Sequence, residues 1–536
     1  MISQASFYKS KRLLLVEDCE PVRASIKGML QQIGFEDITA VADATQAMPL
    51  VKKDSFDFIL ADFDLGSGKD ASQFFAELSQ QGLMHVNCCF LMFSAEPRRM
   101  PVLGVLHGSP DGFILKPFSY VELEKRLTKA WSSRAKLLKV YSALQRKDYE
   151  AAKLALDKII NAVNSSSLQA LRLMAEVLLA EGNFSAAGKL YEQVTQQRDF
   201  SWARLGQAVT MLQLGEYQDA ETLLITLSDL DDIRPEALEW LACLYLRQGQ
   251  AEQTEKQLAE LLRMQNSHIS AHLATACSLQ IHDKIDACSK YWQKLIQQYR
   301  FSAFDRSDYY FAFARLQLEQ ALLAKSADFS TLLKKSADAL AMLPQKLTTE
   351  HAEPVIAVLR ARISLLQGNI ADARQQFSLL ESEAAATEPA AIHDRARLAF
   401  ALGDIKAADN YMAQLKEFVP ITADLTGECQ RLTAQYLYRQ EQQRRAQIRQ
   451  WSQAGIDQTV DAEQSLSMLR QAFVFMPCNA TLVLNLLQTL SQLPVSKPLL
   501  SLAKFAMTAL EFSHKTASHQ ERLAQLLTQL PDAYLD

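Results

Sequence analysis

The chain has 536 residues, a net charge of −5 and 49% hydrophobic residues. That length exceeds what one ordinary core organises, so two or more domains are expected. The acidic balance excludes a global positive field that would pull the protein onto nucleic acid or an anionic membrane.

With only 17 glycines and 15 prolines, and abundant Ala, Leu and Gln, most of the length is expected to be helical. The opening stretch is basic, but its apolar run, Leu13 to Val16, is cut off by Glu17 and Asp18, so no signal peptide is expected. No uninterrupted apolar run approaches the ~18 residues of a membrane span. The cysteines (Cys19, Cys88, Cys89, Cys243, Cys277, Cys288, Cys429 and Cys478) form no Cys-x-x-Cys pair and do not cluster with histidines. Free thiols in a reducing compartment are therefore expected, and with them a cytoplasmic location.

Residues 12 to 130 alternate short apolar runs with amphipathic stretches. Strands are expected at Arg12–Val16, Asp37–Val41, Phe56–Ala61, Cys88–Phe93 and Gly112–Leu115, with helices between them and a last one at Tyr120–Trp131. Strands alternating with helices give a parallel, doubly wound α/β sheet. Its site lies at the carboxyl ends of the strands, where the strand order reverses.

Four elements converge there. The first strand ends in "LLLVED", bringing Glu17 and Asp18; the third runs "FDFILADFDLGSGKD", with Asp62 at its tip; the fourth ends in "LMFSAE", bringing Ser94; the fifth ends in "GFILKPF", bringing Lys116. A carboxylate can attack a phosphoryl group and retain it as an acyl phosphate, which makes Asp62 the candidate nucleophile. The incoming phosphoryl is anionic, so a divalent cation is needed. Mg²⁺ suits the hard oxygens of Glu17, Asp18 and Asp62 and the backbone carbonyl of Asp64. Lys116 would neutralise one phosphoryl oxygen and the Ser94 hydroxyl would donate to another.

This arrangement resembles the receiver domain of two-component response regulators, over about Lys11 to Trp131. The resemblance implies a flavodoxin-like (βα)5 fold with Asp62 as phosphoacceptor and Glu17 and Asp18 as metal carboxylates. It implies Ser94 as switch hydroxyl, Lys116 as the site lysine and Phe113 as switch aromatic, Phe where Tyr is commoner. The face formed by the fourth helix, fifth strand and fifth helix would carry the output. The chemistry would be limited to Mg²⁺-dependent self-phosphorylation and autodephosphorylation, and the partner would be a sensor histidine kinase or a phosphotransfer protein.

After Trp131 helical periods run to the C-terminus. A repeated turn recurs as "KDYEAA" at Tyr149, "GNFSAA" at Phe184, "GEYQDA" at Tyr217, "GQAEQT" at Ala251, "DKIDAC" at Ile285, "GNIADA" at Ile370 and "GDIKAA" at Ile405. The first anchors lie 35, 33, 34 and 34 residues apart, and a degraded unit is expected around Phe329. This resembles the tetratricopeptide repeat, a helix–turn–helix unit of ~34 residues. The turn glycine ends the first helix left-handed, an aromatic (Tyr149, Phe184, Tyr217) packs between the helices, and a small residue (Ala152, Ala187, Ala220, Ala373, Ala408) lets them approach.

The expected organisation is therefore multidomain, α/β followed by all-α: a receiver over 1–133, a TPR-like helical solenoid over 134–420, and a less regular helical region over 421–536. In that last region Glu428–Trp451 reads as one long polar helix. Its arginines (Arg439, Arg444, Arg445, Arg449) read as a solvated face rather than a nucleic-acid surface, because interleaved aromatics are lacking. His268 and His272 lack the Glu partner of a zinc motif. There is no helix-turn-helix with a basic wing, no phosphate loop and no cyclic-dinucleotide motif, so the output is expected to be protein binding in the repeat groove. The competing reading is a constitutive scaffold, or a kinase-sequestering protein with a pseudo-receiver; a nucleic-acid-binding regulator is a third.

Overall fold

The computed structural model describes residues 4–66, 69–95, 110–162, 168–302, 304–324, 326–349, 351–380, 387–457, 460–531 and 534. They form two compact units, Met1–His272 with Ser302–Phe304, and Leu273–Phe301 with Asp305–Asp536.

The first unit opens with α1 (Gln4–Lys9), β1 (Arg12–Val16), α2 (Glu20–Ile33), β2 (Asp37–Val41), α3 (Ala44–Lys53), β3 (Phe58–Asp62), α4 (Ala71–Gln80), β4 (Cys89–Ser94), β5 (Gly112–Leu115) and α5 (Tyr120–Gln145). The strands form one sheet in the order β2-β1-β3-β4-β5, and every pairing is parallel. Apolar residues fill β1, β3 and β4 because helices cover both sheet faces. Leu13, Leu15, Phe58 and Leu60 enter one core layer, while Leu14, Val16, Ile59 and Ala61 enter the other. Cys88 and Cys89 are buried core thiols. Asp43, Asp70 and Ser119 cap α3, α4 and α5 with side-chain bonds to the first helical turn. The helix expected between β4 and β5 falls on residues 96–109, outside the described residues.

The strand expectations agree within two residues. β3 begins at Phe58 rather than Phe56, although the Asp57 backbone already bonds Arg12 and Cys89 in the flanking strands and its carboxylate accepts from Lys11 Nζ and the Arg12 amide, each at 3.0 Å. The last receiver helix does not stop at Trp131. It runs on as one 26-residue helix, α5, through "WSSRAK", where no Gly or Pro breaks it.

The repeats of this unit continue as α6 (Tyr149–Ile160), α7 (Leu168–Ala180), α8 (Phe184–Gln197), α9 (Ser201–Leu214), α10 (Tyr217–Ser228), α11 (Arg234–Arg247) and α12 (Ala251–Met264); α13 (Ile269–Ile281) crosses the boundary between units. The second unit holds α14 (Ile285–Tyr299), α15 (Ser307–Leu323), α16 (Ser326–Ala341), α17 (Glu353–Leu366), α18 (Ile370–Leu380), α19 (Pro389–Ala401) and α20 (Ile405–Lys416). It ends with α21 (Leu425–Ala454), α22 (Ala462–Phe475), α23 (Ala480–Leu490), α24 (Lys497–Glu511) and α25 (Ala517–Leu527).

Each of the seven turn anchors is the first residue of a second helix: Tyr149, Phe184, Tyr217, Ala251, Ile285, Ile370 and Ile405. The preceding turn is left-handed at Gly182, Gly215, Gly249, Gly368 and Gly403, and stays so at Lys147 and Asp283, where glycine is missing. The small residue is fully buried throughout, as Ala152, Ala187, Ala220, Ala373 and Ala408, and as Thr254 and Cys288 where the motif drifts. The anchor aromatics are half-buried. The degraded unit around Phe329 is the α15–α16 pair.

Candidate functional site

The sheet order reverses between β1 and β3, and the acidic residues stand at that point. Glu17 and Asp18 follow β1 directly, and Asp62 ends β3. Carboxylate oxygens of Glu17, Asp18 and Asp62 lie within 4.8 Å of one another. Glu17 is buried, Asp62 nearly so, and Asp18 is exposed. Three hard oxygen ligands with one side open to water match what a small divalent cation requires, so this cluster could hold one.

Lys116, one residue past β5, reaches into the same cluster. Its Nζ donates to Glu17 Oε2 at 2.8 Å and to Asp62 Oδ2 at 2.9 Å. The Lys116 amide also donates to the Ser94 carbonyl at 2.9 Å, which ties the fifth strand's end to the fourth's. Ser94 ends β4 and is buried. Phe113 lies within β5, half-buried against the core layer of Phe74 and Phe90. Burial pushes Asp62 above the ordinary carboxylate range, and the Lys116 bond opposes it. Burial does the same to Glu17, again opposed by Lys116. Burial works against the charged Lys116, but its bonds to Glu17 and Asp62 outweigh that and raise it. The ammonium thus stabilises two carboxylates that the fold has partly withdrawn from water.

The loop leaving Asp62 closes on itself. Asp64 Oδ1 accepts from the Gly66 amide at 3.3 Å. Gly66 is left-handed (φ 73°), and a Cβ there would stand 3.1 Å from Asp18 Oδ2. The Ala71 amide donates to the Phe63 carbonyl at 3.2 Å, so the start of α4 is bonded to the residue after Asp62. Glu17, Asp18, Asp62, Ser94 and Lys116 therefore share one end of the sheet, and Phe113 lies further back in β5, beside Met92. Two features escaped sequence reasoning: Lys116 singles out Glu17 as its second partner, and Gly66 packs over Asp18. The "DLG" turn was the only available signal for the second.

Away from this site, α21 lies against α13, α15, α19 and α20 within the second unit. Cys277 Sγ contacts the Cys429 carbonyl, Tyr436 donates to Asp283, Arg444 to Glu319, and Arg445 to Asp409 and Glu441. Arg397 and Glu441 pair at 3.2 Å with side chains 8% and 1% exposed. Burial would raise Glu319, but the Arg397 and Arg362 guanidiniums prevail and hold it at about 2. The expected solvated face is thus only half right: Arg439 and Arg449 are exposed, whereas Arg444 and Arg445 are spent in ion pairs. Beside α21 lies a cavity of about 700 Å³, lined by Trp292, Phe311 and Val355 together with Arg306, Glu388 and Arg395. His268 and His272 share no ligand position: His272 Nε2 contacts the Asn266 carbonyl, and His268 faces Glu239.

Among the described residues no helix is long and apolar enough to cross a membrane. The fold and site define a response-regulator receiver domain followed by tetratricopeptide repeats. Family models agree: residues 13–128 match the response regulator receiver domain, and residues 178–237 match a tetratricopeptide repeat. The chemotaxis protein CheY-3 of Vibrio cholerae is 27% identical over 126 residues, 24% of this chain and 95% of that protein. The chemotaxis protein CheY of Pseudomonas aeruginosa is 26% identical over 118 residues, 22% of this chain and 94% of that protein. Among solved structures, a Francisella response regulator receiver domain is 24% identical, covering 23% of this chain and 98% of its own, with a TM-score of 0.21. A tetratricopeptide repeat protein from Parabacteroides merdae is 17% identical, covering 49% and 97%, with a TM-score of 0.33.

Proposed function

We propose that this response regulator accepts a phosphoryl group on Asp62 and passes the signal on by protein binding through its repeats. The observation that carries the reading is the convergence of Glu17, Asp18 and Asp62 within 4.8 Å, with Lys116 bonded to two of them. An Asp62 oxygen attacks the phosphorus of a phosphohistidine on a sensor kinase or phosphotransfer protein. The P–N bond breaks, an acyl phosphate P–O bond forms, and the histidine leaves to take up a proton. Mg²⁺, held by Glu17, Asp18, Asp62 and the Asp64 carbonyl, would neutralise the phosphoryl charge. Lys116 leaves one carboxylate contact for a phosphoryl oxygen, Ser94 donates to another, and Phe113 follows Ser94 toward the core. Water later cleaves the acyl phosphate and restores the carboxylate.

The working organisation is a receiver over 1–133, repeats over 134–420 and a closing region over 421–536, in a cytoplasmic protein. The cavity beside α21 offers a partner side chain a lining of apolar and charged residues. Nucleic acid is disfavoured because Arg444 and Arg445 are already paired.

Incubation with Mg²⁺ and a small phosphodonor such as acetyl phosphate should label the protein once, on an acid-stable, alkali-labile bond. Asp62→Ala should abolish that label. Equal labelling of the variant would place the acceptor elsewhere. A partner captured equally with and without beryllofluoride would favour the constitutive scaffold.

A further inference from the structure

The loop after Asp62 does not end in solvent. Asp70 caps α4 in a complete capping box: its Oδ1 accepts from the Gln73 amide at 2.8 Å, and Gln73 Oε1 accepts from the Asp70 amide at 3.2 Å. The same Gln73 side chain donates through Nε2 to Ser267 Oγ at 3.5 Å, a contact spanning 194 residues. Ser267 and His268 lie in the turn between α12 and α13, within the same compact unit as the receiver. His268 is fixed there, since its Nδ1 accepts from the Ala271 amide at 3.3 Å at the start of α13.

The start of α4 is therefore held at two places. The Ala71 amide bonds the carbonyl of Phe63, the residue between Asp62 and Asp64. The Gln73 side chain of the capping pair is seated on a repeat turn. Gly66 packs on Asp18. A ligand atom is better preorganised when its neighbour is fixed, because less motion remains to be lost on binding.

We propose that Ser267 and His268 are positioning residues for the receiver's acidic site. Ser267 seats the Gln73 side chain and His268 holds that turn by capping α13, so together they fix the start of α4, which is bonded to Phe63 beside Asp64, and raise the site's affinity for a divalent cation. The inference rests on the reading of Glu17, Asp18 and Asp62 as a cation site. It supplies a route from Asp62 to the repeats that bypasses the face of β5 and α5. Coupling of this kind is reciprocal: what the turn does to the cation, the cation does to the turn.

The test uses the full chain, with Mg²⁺ as probe and titration calorimetry as readout. The double variant Ser267→Ala/His268→Ala should bind Mg²⁺ about three- to tenfold more weakly, at the lower end of typical site-to-site coupling. His268→Asn retains a side chain able to cap α13, so combined with Ser267→Ala it removes the Gln73 contact while keeping the turn, and it should still bind weakly. Full affinity in that variant would mean that only the folding of α13 mattered, and would overturn the proposal. So would double-alanine affinity within twofold of wild type. Hydrogen exchange supplies the reciprocal readout. Beryllofluoride with Mg²⁺ should change exchange across residues 265–272 in wild type, and much less in the double-alanine variant; a silent turn in wild type would refute the coupling. Failure of the underlying reading looks different, because wild-type protein would then bind no Mg²⁺ at all.

Discussion

Replacing Lys116 by Met removes the ammonium that Glu17 and Asp62 share and leaves the stem's volume in place. Two charge-assisted hydrogen bonds, at 2.8 and 2.9 Å, are lost. Each such bond contributes about 1.5–3 kcal/mol, and stranding a buried charge costs about 3–5 kcal/mol. The penalty here falls below the sum, because both carboxyls already sit above their ordinary range and can take up protons. A loss of about 2–4 kcal/mol of receiver stability in chelator is expected. Mg²⁺ should then behave asymmetrically. In wild type it competes with an ammonium already bound to two of its ligands, whereas in the variant it meets uncompensated carboxylates. At about a hundred times its dissociation constant a ligand contributes ~2.7 kcal/mol, so Mg²⁺ at one fixed concentration should stabilise the variant more. Denaturant-dependent hydrogen exchange of the amides in Leu13–Val16 and Phe58–Asp62 reads receiver stability inside the full chain. A variant as stable as wild type in chelator, or equal Mg²⁺ increments in the two proteins, would refute the linked cluster.

Two further outcomes follow from buried groups in the first unit. Burial drives Glu236 in α11 up to about 8, and its Oε2 has no hydrogen-bond partner among the described residues. The unfolded carboxyl ionises near 4.5, so the folded state holds an extra proton between pH 4.5 and 8 and stability falls as pH rises through that window. At ~1.4 kcal/mol per tenfold of proton activity the ceiling at pH 8 is about 4 kcal/mol, and partial exposure brings the expectation to about 2 kcal/mol. Glu236→Gln should therefore gain on wild type with rising pH, and parallel pH profiles of melting temperature would contradict this. The second outcome concerns the receiver's edge. Arg134 Nη1 bonds both oxygens of Asp111 at 3.2 and 3.0 Å, and its Nε donates to the Val86 carbonyl at 3.0 Å. A fragment of residues 1–133 strands the buried Asp111 and should unfold about 3 kcal/mol more easily than 1–146 in urea; equal midpoints and slopes would show that the pairing contributes nothing.

Much of this was legible because the determinants are local. A parallel strand buried on both faces must be apolar throughout, so β1, β3 and β4 announce themselves. The residue after such a run stands at the sheet's end whatever the rest of the chain does, which is why Glu17, Asp62, Ser94 and Lys116 were findable. The repeat turn is equally local: a left-handed residue, an anchor, then a small residue. Its failures are instructive. Lys147 and Asp283 adopt the left-handed turn without glycine because packing of the paired helices dictates it, at a cost of roughly 1–2 kcal/mol each. What was not legible depends on distant partners. Nothing around Arg134 announces Asp111, and nothing around Gln73 announces Ser267. The polarity of α21 reads as solvent exposure until Glu319, Arg397 and Asp409 are seen opposite it.

That last point bears on where a partner can bind. Within the second unit the helix faces toward α21 are already committed, since Arg444 holds Glu319, Arg397 holds Glu441 and Arg445 holds Asp409. Arg362 holds Glu319 and Asp394 in turn, the second at 2.5 Å. Displacing α21 would expose or strand several of these charges together. Stranding even one buried partner costs about 3–5 kcal/mol, and two or three would consume most of the ~12 kcal/mol available to a nanomolar complex. A partner that had to evict α21 would therefore bind weakly unless it replaced those charges one for one. The cavity beside α21 has no such cost. Its lining joins apolar Trp292, Phe311 and Val355 to charged Arg306, Glu388 and Arg395, so it would accept an apolar side chain and discriminate by charge. In the second unit α21 thus forms one wall of the recess and is held there by ion pairs, rather than standing as an occupant awaiting release.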